Sequence, residues 1–154
     1  MGKGAANSDM KAIWARMMPL FSNRHNAMLD LVRHYGLTPP HGFTLAALSF
    51  GPLRMRELAD LLVCDASYIT SIVDRLEEAG LALRRPSATD RRVKQIELTP
   101  KGHRVATQVT ALMTDPPAEF TKLTAQERAT LKAILERILP EPEFPPQIFR
   151  RPPP

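Results

Sequence analysis

The sequence predicts a mainly α-helical chain with one small β-hairpin, and three observations in its middle carry that prediction. Two short amphipathic runs, 55–62 and 66–79, lie end to end with a three-residue joint between them. Asp65 stands where the second run needs an N-cap, and Gly80 stands where a left-handed C-cap costs least. Two strand-like runs follow at once, Leu81 to Arg85 and Val93 to Leu98, joined by Pro-Ser-Ala-Thr-Asp-Arg-Arg. A helix pair of these proportions followed by a basic-tipped hairpin predicts a winged helix-turn-helix lobe. Apolar-striped helices on either side predict a second, helical dimerisation lobe.

Each element has a local reason. Residues 1–7 read as a disordered lead, and a helical pattern begins near Ser8 with Asp9 at the positive end of its dipole. Ile13, Trp14, Met17 and Met18 form its first apolar band. Pro19 predicts a kink or break at Met18, because it removes a backbone donor and crowds the preceding turn. The stripe resumes through Phe21, His25, Met28, Val32 and Tyr35 until Gly36. Thr38-Pro39-Pro40 then supplies an N-cap with proline in the first turn, starting a helix that stops near Gly51-Pro52.

In the helix-turn-helix, Leu58, Leu61 and Leu62 share one face of the first helix. The second helix buries Ile69, Ile72, Val73 and Leu76 at i, i+3, i+4, i+7 spacing. After the hairpin, Thr99-Pro100 starts a helix carrying Val105, Val109, Leu112 and Met113. Asp115-Pro116-Pro117 disturbs it, with Asp115 a candidate cap for a further turn. Thr124 and Glu127 are spaced as a capping box for a last helix to Leu139, striped by Leu131, Ile134, Leu135 and Ile138. The organisation is therefore a lead over 1–7, one domain over 8–139, and a proline-rich tail over 140–154. Within the domain, 38–98 is the winged helix-turn-helix lobe, while 8–36 and 100–139 are the dimerisation helices.

Composition narrows the function. The net charge is +5 and the whole excess sits between Arg84 and Arg104, where seven Lys/Arg meet only Asp90 and Glu97. A basic excess confined to a hairpin and its flank is the footprint of a phosphate-binding surface. The exposed face of the second helix carries Ser67, Thr70, Ser71, Asp74 and Arg75, with Tyr68 on its flank. Short polar groups of this kind can approach base edges in a major groove. The candidate DNA contacts are therefore Ser67, Tyr68, Thr70, Ser71, Arg75, Arg85, Arg91, Arg92 and Lys94. Arg75 has a competing reading as a surface partner of Asp74 or Glu78.

Catalysis finds no support: there is no Gly-rich phosphate loop, nucleophile elbow or clustered His/Cys/acid set. His25, His34, His41 and His103 have no metal-ligand spacing, so neither metal nor cofactor is expected. His25, on an apolar stripe, reads as a core histidine. The single cysteine, Cys64, reads as a buried structural thiol, although a helix N-terminus follows it. No apolar run is long enough to span a membrane, and the first residues lack a signal-peptide core, so a cytoplasmic location is expected.

The blocks Arg56-Glu-Leu-Ala-Asp-Leu-Leu, Tyr68-Ile-Thr-Ser-Ile-Val-Asp-Arg-Leu-Glu-Glu-Ala-Gly-Leu, Arg84-Arg85, Asp90-Arg91-Arg92 and Leu98-Thr-Pro-Lys-Gly resemble those of the MarR-type transcriptional regulators. The likeness continues more weakly from Asp9 to Leu139. It implies a homodimeric repressor that binds near-palindromic duplex DNA and releases it when a small molecule binds. It also assigns Arg92 to the minor groove and makes Asp90 the residue that holds the wing in shape. Relatives that bind aromatic acids do so between the two lobes, which makes Trp14, Met17, Phe21, His25 and Phe43 the implied pocket wall. The competing class is a protein-interaction adaptor that keeps a winged helix without specific DNA binding.

Overall fold

The computed structural model describes residues 3–87 and 93–140. Six α-helices and three short strands follow in the order α1 (Lys3–Arg33), α2 (Pro39–Leu48), β1 (Leu53–Arg54), α3 (Met55–Leu62), α4 (Ala66–Glu78), β2 (Ala82–Pro86), β3 (Lys94–Leu98), α5 (Pro100–Thr114) and α6 (Ala125–Ile138). A short 3-10 helix, Ala118–Lys122, links the last two. The three strands form one antiparallel sheet with β3 in the middle. Leu53 pairs with Ile96, and Arg84 pairs with Ile96 from the other side.

The core belongs to the middle of the chain. Leu45, Leu48, Leu58, Ile69, Leu76, Leu81 and Ile96 are fully buried, and Val105 and Val109 of α5 close the cluster. The four stripe residues of α4 are all inside, as their spacing requires. Gly80 at φ +69° lets the chain leave α4, with the Leu81 N–H returning to the Leu76 carbonyl at 2.9 Å. Gly102 has a different task. A Cβ there would lie 1.8 Å from the Leu81 carbonyl oxygen, so α5 rests directly on the backbone entering β2.

Several expectations need correction. Helix α1 begins at Lys3, so the chain is helical well before Ser8, and it runs through Pro19 without a break. Pro19 and Ala15 both face solvent, so the carbonyl that loses its donor is left to water instead of being buried. Helix α5 ends at Thr114 with Asp115 as its C-cap, and the turn after it is N-capped at Pro117 and not at Asp115. β1, which the Gly51-Pro52 break conceals, becomes a strand only because β3 offers it an edge.

The two ends of the molecule attach sparsely. Only the C-terminal part of α1 reaches the core, through Met28 and Val32. Arg24 fastens it there, donating from Nε to the Leu112 carbonyl at 2.8 Å and from Nη2 to the Ala111 carbonyl at 2.6 Å. Helix α6 forms its capping box, with the Thr124 N–H on Glu127 Oε2 at 2.8 Å, yet buries no residue. No described helix is long and apolar enough to cross a membrane.

Candidate nucleic-acid interface

Helix α4 is set by its first turn. Asp65 Oδ1 accepts from the Tyr68 N–H at 2.8 Å and from the Ser67 hydroxyl at 2.5 Å. The Ser67 hydroxyl bond, first, and the Tyr68 amide hold the Asp65 carboxyl below its ordinary pKa. With its apolar stripe locked inward, α4 presents Ser67, Thr70, Ser71, Asp74, Arg75 and Glu78 along an open polar cleft of about 460 Å³. Tyr68 stands beside the cleft, 48 % exposed.

The polar face is less free than the sequence suggests. Ser67 gives its proton to Asp65, and Thr70 bonds back to the Ala66 carbonyl at 2.8 Å. Arg75 pairs with Glu78 at 2.7 Å, the competing partner named from its spacing. Ser71 and Tyr68 have no side-chain partner among the described residues. A partner arriving at the cleft therefore meets two uncommitted groups and three that must share or exchange bonds.

His41 completes the cleft from outside the helix pair. It sits at the third position of α2, and its Nδ1 accepts from the Thr38 N–H at 3.2 Å. Desolvation lowers its pKa and nearby Arg75 lowers it further, while a backbone hydrogen bond with Thr38 acts in the opposite direction. Sequence reasoning missed His41. The Thr38-x-x-His41 spacing marks a capping box, but nothing local says that α2 begins beside α4.

The basic cluster resolves into separate roles. Arg85 pairs with Glu97 at 2.7 Å across the outer face of the hairpin. Arg84 turns the other way, toward α4, and meets Asp74 and Glu77. Lys101 caps the end of α4, donating to the Ala79 carbonyl at 2.8 Å, and lies over the Tyr35 ring. Lys94 and Arg104 are exposed and make no ion pair among the described residues. Asp90, Arg91 and Arg92 lie outside the described residues.

Of the expected pocket wall, Phe21, His25 and Phe43 do come together. They line a cavity of about 200 Å³ between α1, α2 and α5, with Arg24, Met28, Leu112 and Met113. Met17 instead lines a larger apolar groove of about 800 Å³ with Leu131, Leu135 and Ile138, and Trp14 lines neither. His25 is exposed, which corrects its reading as a core histidine. Cys64 is only half-buried, and its pKa is raised by desolvation first and by the Asp65 carboxylate second. Both causes oppose the activation of the thiol that its place before a helix N-terminus suggested. Among the described residues no cluster of His, Cys, Asp and Glu could hold a metal.

Comparison with known proteins agrees with this geometry. The MarR family model matches residues 35–93, from the end of α1 into the hairpin. The HTH-type transcriptional repressor MdtR of Bacillus subtilis is 33% identical over 99 residues, 64% of this chain and 64% of its own length. The multiple antibiotic resistance protein MarR of Escherichia coli is 37% identical over 86 residues, 54% of this chain and 60% of its own. The matched stretch thus spans somewhat under two thirds of these curated relatives. Among solved structures, the YusO protein of Bacillus subtilis superposes with a TM-score of 0.71 at 29% identity, over 89% of this chain and 99% of that one. A helix pair with a hairpin wing, and relatives matching both within the family region and beyond it, make this chain similar to the MarR family.

Proposed function

We propose that the chain is a transcriptional regulator that binds duplex DNA as a homodimer, with α4 in the major groove and the hairpin along the adjacent backbone. The observation that carries the reading is the juxtaposition of a capped helix whose outer face is polar with the only segment of concentrated positive charge. Its relatives' printed names, a transcriptional repressor among them, favour repression as the outcome. A cytoplasmic location is consistent with this reading.

The dimer reading rests on exposed apolar side chains at both ends. Ile13, Trp14 and Phe21 of α1 are 58–59 % exposed, and Ile138 of α6 is 66 % exposed. A second copy laid on these faces would cover them. Two α4 helices related by a dyad would then enter successive major grooves about 34 Å apart, so the site is an inverted repeat. The cavity at Phe21, His25 and Phe43 lies where the terminal helix meets the DNA lobe, and its apolar wall beside Arg24 suits a small aromatic acid. A ligand there would tilt one lobe against the other and favour the state that fits DNA poorly.

The test uses labelled duplexes of mixed sequence and of genomic promoter fragments, titrated at several salt concentrations. Replacing Arg91 and Arg92 by Ala should cost about 2–4 kcal/mol in affinity and flatten the log–log salt slope by roughly one to two units. A wild-type protein that binds neither duplex would overturn the reading in favour of an adaptor.

A further inference from the structure

Helix α4 poses an electrostatic problem for a DNA reader. It carries three acids, Asp74, Glu77 and Glu78, against one arginine, Arg75. Arg75 and Glu78 cancel each other at 2.7 Å, which leaves two carboxylates on a helix that must approach phosphate. Asp74 lines the polar cleft itself.

Arg84 answers both charges from β2. Its register partner is the fully buried Ile96, so the Arg84 side chain leaves the sheet on the core side, against α4. Its Nη2 donates to Asp74 Oδ1 at 2.6 Å and its Nη1 to Glu77 Oε2, while its own backbone N–H donates to Glu77 Oε1 at 2.8 Å. β2 is an edge strand, and Glu77 thereby satisfies an edge donor as well as a guanidinium. Arg84 is 26 % exposed and Glu77 31 %, so the pair lies partly sheltered in the angle between helix and wing. Arg85, one residue on, faces the outer side and Glu97, and has no part in this joint.

We infer that Arg84 is a positioning residue for DNA binding: it fastens the base of the wing to α4 and neutralises Asp74 and Glu77 where they would otherwise repel phosphate. This rests on the DNA-binding reading above. It differs from a direct phosphate contact, because both terminal nitrogens of Arg84 are already committed to carboxylates.

The test is fluorescence anisotropy with a labelled mixed-sequence duplex over a range of salt. Four proteins are compared: the wild type, Arg84→Met, Asp74→Asn/Glu77→Gln, and the triple variant. Arg84→Met keeps the aliphatic stem and should weaken binding about tenfold at low salt, with the deficit shrinking as salt screens the exposed carboxylates. The triple variant should return to within about threefold of the wild type, because neutral amides repel nothing. An unchanged affinity in Arg84→Met overturns the inference. So does a deficit that the triple variant fails to recover, which would make Arg84 a phosphate contact. A deficit that ignores salt would make its role only structural and overturn the inference too. Should Arg84→Met fail to fold, Arg84→Gln takes its place, alone and in the triple variant, and is read by the same outcomes. A wild type that binds no duplex is a separate result, which removes the DNA-binding reading itself.

Discussion

Helices α4 and α6 are built alike and end up in opposite circumstances. They have 13 and 14 residues, each has a side-chain N-cap, and each carries an apolar stripe at helical spacing. Helix α4 buries Ile69, Ile72, Val73 and Leu76, whereas Ile134, Leu135 and Ile138 of α6 remain 39–66 % exposed. The difference lies in what faces each stripe. The stripe of α4 meets a sheet and two helices of its own chain, and that of α6 meets an open groove. Local sequence specifies a helix and its sticky side, but not whether the same chain covers that side.

The comparison separates a core that the chain covers itself from end helices whose apolar faces it leaves open. The largest effect should come from breaking the lobe at its closest contact. Gly102→Ala drives a methyl into the Leu81 backbone, which cannot yield as a flexible side chain would. A loss of at least ~3 kcal/mol is expected in denaturant unfolding, with soluble yield falling accordingly. Ile134→Asp should act at the other pole. It should weaken self-association by about 2–5 kcal/mol, because a carboxylate would be buried against the second copy. The far-ultraviolet circular dichroism of the lobe should be retained while light scattering reports the mass of one chain.

Smaller changes sharpen the picture within the lobe. Val63, between α3 and α4, adopts φ +51° and is 90 % exposed, so a β-branched residue holds a left-handed conformation without packing in return. Val63→Gly should raise stability by about 0.5–1 kcal/mol, seen as a higher melting temperature. The smallest effect is the acid response of the α2 cap. The His41 pKa is lowered in the folded chain, chiefly by desolvation, so folding there binds fewer protons than the unfolded chain does. Its contribution is complete above about pH 6.5 and is lost as pH falls through the lowered folded value. His41→Gln keeps an acceptor for the Thr38 N–H and should flatten that part of the melting-temperature profile against pH.

What the sequence made legible follows the range of the interactions. Helices α3 and α4 and the cap at Asp65 were readable because their determinants lie within four residues of one another. β1 was not, because two residues become a strand only beside β3. The count of positive charge identified the hairpin region, but not that Arg84 and Lys101 serve α4 while Arg85 serves Glu97. For Arg84 and Arg85 the assignment depends on which face of β2 each residue occupies, and the face is fixed by register with β3. His25 shows the same limit from the other direction. It has the spacing of a core residue on α1, yet α1 leaves the core before reaching it.

The account stands on two copies of one basic lobe meeting one duplex, and sedimentation equilibrium of the protein with a labelled promoter duplex measures that directly. The expected complex has the mass of one duplex and two chains, and it should dissociate as salt rises. A complex containing a single chain, or free duplex beside free protein at low salt, would contradict it.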